Sequence, residues 1–253
     1  MTAKTLTDKT ILITGGTSRL GRAFVPQAVT NGARVFFTYY QNQQEAEHLK
    51  KKGAEGFRVD LADAKEIETC CAALKEKIGH LDVLIHNAAA VRDHTVQNLT
   101  DEDWDYVMTV NLKAPYYFTK KLMPLLFRKK SAPAENEKLA ASKVFMLASR
   151  VAVIGGFGVS NYAASKAGLL GLMKSLAQEL GKRKILVNAV NPGFMKSPMT
   201  EGLPEEVTAR NLEASALARF SDPEEVAAFL VYLSSDAMTQ VTGQTFHFES
   251  RKI

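Results

Sequence analysis

Tyr162 and Lys166 stand four residues apart in "NYAASKAG", at the start of a helix-like run, so their side chains share one face. A phenol has a reference pKa of about 10 and does little acid–base work near neutral pH until positive charge nearby favours its phenolate. The spacing alone means little, because Tyr116 with Lys120 and Tyr117 with Lys121 repeat it. Ser149 sets the third pair apart. It follows a short buried-type strand, thirteen residues before Tyr162, and a glycine-rich loop joins the two. A hydroxyl, a phenol and an ammonium so arranged form an acid–base set.

A second set lies near the start of the chain, where "TGGTSRLG" (Thr14 to Gly21) follows the apolar run "ILI" and opens another helix-like segment. Strand, glycine turn and helix together present backbone N–H groups and a positive helix end to a pyrophosphate. Gly15 supplies the turn and Gly21 lets the helix pack closely on the strand, with Thr17, Ser18, Arg19 and Leu20 between them. Arg19 stands where a third glycine is expected.

Cofactor choice turns on the end of the second strand, where an NAD site places an acid that would repel a 2′-phosphate. "VFFTYYQNQQ" has no acid before Glu45, and Tyr39 falls where the acid would stand. NADP(H) is therefore expected over NAD(H), with Arg19, Ser18, Gln41 and Asn42 gathered around the phosphate. The alternative for Arg19 is that it points to solvent over the adenosine.

The elements that must position these groups alternate along the chain. Strands are expected at Thr10–Thr14, Arg34–Tyr39, Gly56–Val59, Val83–His86, Val144–Leu147, Leu186–Val190 and Thr245–Phe248. Helices are expected at Leu20–Thr30, Gln44–Lys52, Ala64–Ile78, Trp104–Arg128, Tyr162–Leu180 and Pro223–Ser234. Nearly continuous apolar strands separated by helices predict a doubly wound α/β fold, a parallel sheet of about seven strands covered on both faces. Its ligands should collect at the carboxyl ends of the strands. Residues 193–215 read as a substrate lid, and 129–142 as a surface insertion.

At 253 residues and 46% hydrophobic, the chain is sized for one domain spanning 1–253. No apolar run is long enough to span a bilayer, and the polar opening "MTAKTLTDKT" is unlike a signal peptide, so a cytoplasmic protein is expected. Adjacent Cys70 and Cys71 read as free thiols rather than a disulfide or metal site. The net charge of +5 is mild, and the basic clusters are not interleaved with aromatics, which argues against nucleic acid.

These pieces together resemble the short-chain dehydrogenase/reductase family, whose motifs here read "TGGTSRLG", "HNAA" (His86 to Ala89), Asn111 in "VNLKAP", Ser149 and "YAASK" from Tyr162, with the likeness continuing to "VTGQTFHFE". The resemblance implies that Tyr162 protonates a carbonyl oxygen while hydride comes from a nicotinamide. It also implies that Ser149 orients that oxygen, that Lys166 and the oxidised nicotinamide favour the phenolate, and that Asn111 holds a water feeding protons to Lys166. Asp60 and Leu61 would meet the adenine, and Asn87, Ala88 and Ala89 would lie along the adenosine ribose side. Val190, Pro192 and Gly193 would lie near the nicotinamide ring, and Ser197 near its carboxamide or a phosphate.

Within the family, "AAAVRDHTVQNLTDEDWDYVMTVNL" is similar to the 3-oxoacyl-[acyl-carrier-protein] reductases of fatty-acid synthesis, with Arg92 and Asp93 as their R-D pair. That likeness implies a carrier-protein partner docking on Arg128, Lys129 and Arg183, and a homotetramer, with a homodimer as the alternative. Ala89 in place of glycine, the longer loop at 129–142 and the ending "FESRKI" depart from the pattern. Reduction of a small ketone, sugar or other carbonyl stays open, as does a catalytically silent nucleotide sensor.

Overall fold

The computed structural model describes residues 5–127, 141–195 and 205–250. Seven parallel strands form one sheet in the order β3-β2-β1-β4-β5-β6-β7: β1 Thr10–Ile13, β2 Arg34–Tyr39, β3 Glu55–Arg58, β4 Val83–His86, β5 Ser142–Leu147, β6 Ile185–Asn191 and β7 Thr245–His247. The expected fold class is the one observed. Strand order reverses between β1 and β4, which makes the carboxyl ends of these two strands the crevice of the sheet.

Helices cover both faces. On one, α1 (Arg19–Thr30), α2 (Gln43–Lys51) and α9 (Pro223–Ser234) pack on Ile11, Ile13, Val35 and Phe37. On the other, α3 (Ala64–Lys77), α5 (Ala114–Leu126) and α7 (Ser160–Leu180) pack on Leu12, Phe36, Leu84 and Val144. The alternation of Ile11, Leu12 and Ile13 between the two cores is the period of two that a strand imposes. It leaves β1 apolar on both sides.

The long helix expected from Trp104 to Arg128 is instead α4 (Asp101–Met108), a π-turn (Thr109–Lys113) and α5. Thr100 caps α4 by accepting from the Asp103 N–H at 3.1 Å, so the helix starts three residues before the first apolar position. Pro115 is the cause of the break. Without an N–H it gives nothing to the carbonyl of Asn111, four residues back, and the Ala114 N–H reaches instead to Thr109, five back.

β5 likewise starts before its apolar run. Ser142 and Lys143 are buried there because they find partners: Ser142 Oγ lies 3.2 Å from His80 Nε2, and Lys143 Nζ donates to the Leu233 carbonyl at 2.9 Å and to that of Ser235. A short α6 (Val151–Ile154), a 3-10 turn (Gly181–Arg183) and α8 (Glu205–Glu213) complete the helices among the described residues. α8 falls within the segment expected as a lid. Most of the expected insertion at 129–142 lies outside the described residues. None of the described helices is long and apolar enough to cross a membrane.

Candidate active site

The carboxyl ends of β4 and β5 and the first turns of α7 bring the acid–base groups together. Leu147 ends β5 and Ser149 follows it, while Tyr162 and Lys166 lie in the first two turns of α7. The Ser149 hydroxyl faces the Tyr162 phenol closely enough to favour its ionised form. Lys166 is 2% exposed, its Nζ 5.7 Å from the centroid of the Tyr162 ring and 2.6 Å from the Leu147 carbonyl to which it donates.

The two other Tyr-x-x-x-Lys pairs have the same local shape, with Lys120 5.7 Å from the Tyr116 ring and Lys121 5.1 Å from that of Tyr117. Burial separates them. Tyr116 is 44% exposed, and Lys121 is spent on an ion pair with Glu68.

Burial pushes the Tyr162 phenol up to about 12, opposed by the nearby Ser149 hydroxyl and helped by the Asp93 carboxylate. Burial also pushes Lys166 down to about 8. In the polypeptide by itself, then, desolvation outweighs the acidifying effect expected of the lysine. The phenol is held protonated.

Asn111 sits in the π-turn and is 1% exposed. Its Oδ1 accepts from the Ala90 N–H at 2.7 Å, and its Nδ2 donates to the Ala90 carbonyl at 2.9 Å and to Ser165 Oγ at 3.1 Å. Ser165 in turn donates to the Tyr162 carbonyl at 2.7 Å. The Asn111 side chain therefore stitches the loop after β4 to α7.

Sequence reasoning missed Asn161. It is wholly buried, donating from Nδ2 to the Arg92 carbonyl at 2.8 Å and accepting from the Tyr162 N–H at 2.8 Å. With the bridge between His94 and Val159 it fastens the segment carrying Asp93 to the start of α7, which has no side-chain cap from Val159. Asp93, expected only as part of a motif pair, thereby comes to act on the phenol. Its own pKa is raised by burial. Arg150, beside Ser149, reaches Asn211 of α8 at 3.1 Å and so ties the serine loop to the described part of the expected lid.

The glycine turn opens at the crevice. Gly15 takes φ +67°, and a Cβ on Gly21 would lie 2.4 Å from the Gly16 carbonyl oxygen, so both positions require glycine. Ser18 caps α1 by accepting from the Gly21 N–H at 3.2 Å. Asn87 donates to the carbonyls of Thr14 and Gly15 and to Ser18 Oγ, at 3.0, 2.9 and 3.0 Å, and locks the turn. Ala88 lies against Gly15, where an added Cβ would meet its Cα at 2.9 Å. Ala89 leads into the Ala90 clamp. Thr17 and Leu20 flank the cap, Leu20 being buried.

Tyr39 turns inward: it is 7% exposed, and its hydroxyl donates to Gln43 at 2.8 Å. Tyr40, which the sequence reading passed over, is the exposed ring at this edge, covered by the Arg58 guanidinium at 5.2 Å, with the Asp60 carboxylate raising its pKa. Asp60 also accepts from the Ala62 N–H at 2.8 Å, and the partly buried Leu61 packs on the core behind it. Arg19 lines a cleft with Arg22, Glu45, His48 and Asp222. Arg22 pairs with Glu45 at 3.6 Å, which leaves Arg19 without an ion pair among the described residues.

Beyond β6, Gly193 takes φ +77° against Ser221 and Phe248, next to Pro192, and Val190 is buried in the core. Asn188 bonds Val241 and Gln244 and serves the sheet. Ser197, Arg128 and Lys129 lie outside the described residues. Arg183 is exposed with its guanidinium 5.1 Å from the Phe127 ring. No group of His, Cys, Asp and Glu able to hold a metal exists among the described residues.

The family model described as enoyl-(acyl carrier protein) reductase matches residues 16–250. The 3-oxoacyl-[acyl-carrier-protein] reductase FabG of Staphylococcus aureus is 35% identical, with 94% of this chain and 96% of the relative covered. That of Thermotoga maritima is 36% identical, with 94% and 95% covered. Among solved structures, a Pseudomonas aeruginosa RhlG/NADP active-site complex aligns with a TM-score of 0.85 at 27% identity, over 98% of this chain and 97% of that one. A dehydrogenase/reductase from Sinorhizobium meliloti aligns with a TM-score of 0.84 at 28% identity, over 97% and 95%. By its parallel sheet, its glycine turn, its Ser149–Tyr162–Lys166 grouping and these matches, the chain belongs to the short-chain dehydrogenase/reductase family of oxidoreductases.

Proposed function

We propose that the protein is an NADPH-dependent 3-oxoacyl-[acyl-carrier-protein] reductase. The observation that carries this reading is a half-buried, protonated Tyr162 phenol with the Ser149 hydroxyl beside it and Lys166 behind it. It stands in a chain about one-third identical to reductases of that name. A phenol pushed up to about 12 is in the form that a proton donor needs. Tyr162 gives its proton to the carbonyl oxygen, Ser149 orients that oxygen by hydrogen bonding, and Lys166 supports the phenolate left behind.

The glycine turn and the capped start of α1, whose N–H groups open at the crevice of the sheet, fit a dinucleotide. Gly15, Thr17, Ser18 and Leu20 would hold its pyrophosphate. Tyr39, Asp60, Leu61, Asn87, Ala88 and Ala89 would hold the adenosine, and Tyr162, Lys166, Pro192, Gly193 and Ser197 the nicotinamide half. When bound, the nicotinamide supplies the hydride equivalent that no side chain can provide. The absent acid at the end of β2 and the unpaired Arg19 support NADP(H) over NAD(H), as does the NADP named for the Pseudomonas neighbour.

An acyl substrate is favoured over a sugar because Val153 and Ile154 of α6 and Phe157 after it, in the segment between Ser149 and Tyr162, are 70, 62 and 93% exposed. Exposed Arg183 supports an acidic carrier protein by electrostatic steering. Exposed Trp104 and Tyr116 support self-association of the chain as one folded domain, with a homotetramer as our reading. The buried free thiols of Cys70 and Cys71 fit the reducing cytoplasm.

NADPH oxidation against acetoacetyl thioester, crotonyl thioester, small ketones and sugars tests the reading. Turnover of acetoacetyl thioester is expected. Turnover of crotonyl thioester in its place would favour the reaction for which the family model is described, and turnover of ketones or sugars alone would replace the acyl substrate.

A further inference from the structure

His86 ends β4 at the centre of the sheet and is 2% exposed, following the aliphatic Val83, Leu84 and Ile85. A buried imidazole needs partners for two nitrogens. One is provided, with Nε2 2.8 Å from Thr119 Oγ1 on α5. Nδ1 has no hydrogen-bond partner among the described residues, a condition shared there by Ser234 Oγ alone.

The surroundings of His86 are those of the catalytic lysine. His86 is in register with Met146 of β5, and the next residue, Leu147, offers the carbonyl that holds Lys166 Nζ. Burial and the positive charge of Lys166 drive the imidazole pKa down to about 3. The ring is therefore neutral across the working range and is neither the acid nor the base. It is a fixed dipole with one unused nitrogen, whereas the amide of Asn111 and the hydroxyl of Ser165 are bonded.

We propose that His86 is a positioning residue for Lys166: it donates a hydrogen bond from Nε2 to Thr119 and keeps Nδ1 as the acceptor for a buried water that itself accepts a hydrogen bond from the Lys166 ammonium. The lysine is thereby held in its charged form. This role rests on the reading of Lys166 as the lysine that supports Tyr162. An ammonium nearby selects this tautomer, since a lone pair is favoured beside positive charge and an N–H is not. A bridging water is the ordinary way for a buried polar atom without a protein partner to be satisfied.

Among the described residues, the ionisable groups linked to Lys166 are Tyr162 on its own helix, His86 on β4 and, past the phenol, Asp93. α5 and the π-turn contribute the uncharged Thr119 and Asn111, and burial is what moves the lysine in the polypeptide alone. Loss of the His86 acceptor should lower the lysine further.

An NMR titration of cofactor-free protein carrying lysine labelled with 13C at Cε reads Lys166 without any substrate. His86→Leu should move its midpoint down by about one pH unit, and His86→Asn, which keeps a donor and an acceptor, should recover at least half of that shift. Thr119→Val frees the ring from its anchor and should shift the midpoint in the same direction, which covers a failure of His86→Leu to fold. An unmoved midpoint in these variants overturns the proposal, even where stability falls. Since the readout needs no turnover, a failure of the proposed reaction shows as an inactive enzyme with the shift intact. Failure of the His86 role shows as a working enzyme without it.

Discussion

Arg19 occupies the first position of α1, beside the cap that Ser18 provides, and projects into a cleft where Arg22 is already paired with Glu45. A guanidinium so placed can give two hydrogen bonds to a phosphate. A hydrogen bond to a charged group is worth about 1.5–3 kcal/mol, so Arg19→Gly should weaken NADPH about tenfold or more, while NADH changes less than about twofold. Isothermal titration with the two cofactors checks this, and equal losses would remove the 2′-phosphate role. At this scale the sequence is most informative where chemistry demands a residue type. Ser149, Tyr162, Lys166 and the glycines can be picked out by type and spacing. Asn161, Asp93 and His86 cannot, because what matters about them is a partner: the Arg92 carbonyl, the Tyr162 phenol, the charge of Lys166. Tyr39 shows the opposite limit, since its position is legible but the inward turn of its ring toward Gln43 is decided by packing.

Lys143 shows how an element boundary escapes a pattern of apolar residues. It is 1% exposed at the start of β5, and its ammonium caps the last turn of α9 through two carbonyls. Burial pushes it down to about 8, against an ordinary value of 10.5. Between those values the unfolded chain holds the proton and the folded chain releases it, so stability rises with pH through that window; the penalty is present in full below about 8. From pH 7 to pH 9 this lysine should add about 1 kcal/mol to the free energy of unfolding. Urea denaturation at both pH values should show Lys143→Met losing that increment relative to wild type. A variant with an equal increment would show that Lys143 does not titrate in the native state. Lys166 contributes in the same sense and the buried cysteines in the opposite one, but both are common to the two proteins. The break between α4 and α5 escaped for a related reason. The helical period continues through it, and only the missing N–H of Pro115, acting on one carbonyl, reveals the π-turn that carries Asn111.

Across the whole molecule, the alternation of apolar strands and helices was enough to read the doubly wound sheet, because a parallel sheet must be apolar on both faces. Strand order then places the described cofactor and acid–base groups at one edge. The glycine turn follows β1, Asn87 follows β4, Ser149 follows β5, and Gly193 follows β6. α7 crosses from β5 to β6, so its first turns, with Tyr162 and Lys166, necessarily stand at that same edge. The sequence did not reveal the cross-ties that fix distances within the edge, Asn111 to Ala90 and Asn161 to Arg92, since each joins a side chain to a backbone group far away in the chain.

The central claim is that this edge is a working reductase site whose proton donor is Tyr162. Single-turnover mixing of acetoacetyl thioester with NADPH-loaded protein, wild type against Tyr162→Phe, tests it most directly. Positioned general acids contribute about 10²–10⁴-fold, so the variant should bind NADPH as wild type does and reduce the thioester at least about a hundredfold more slowly. Reduction at a near-normal rate by a variant without the phenol would contradict the account.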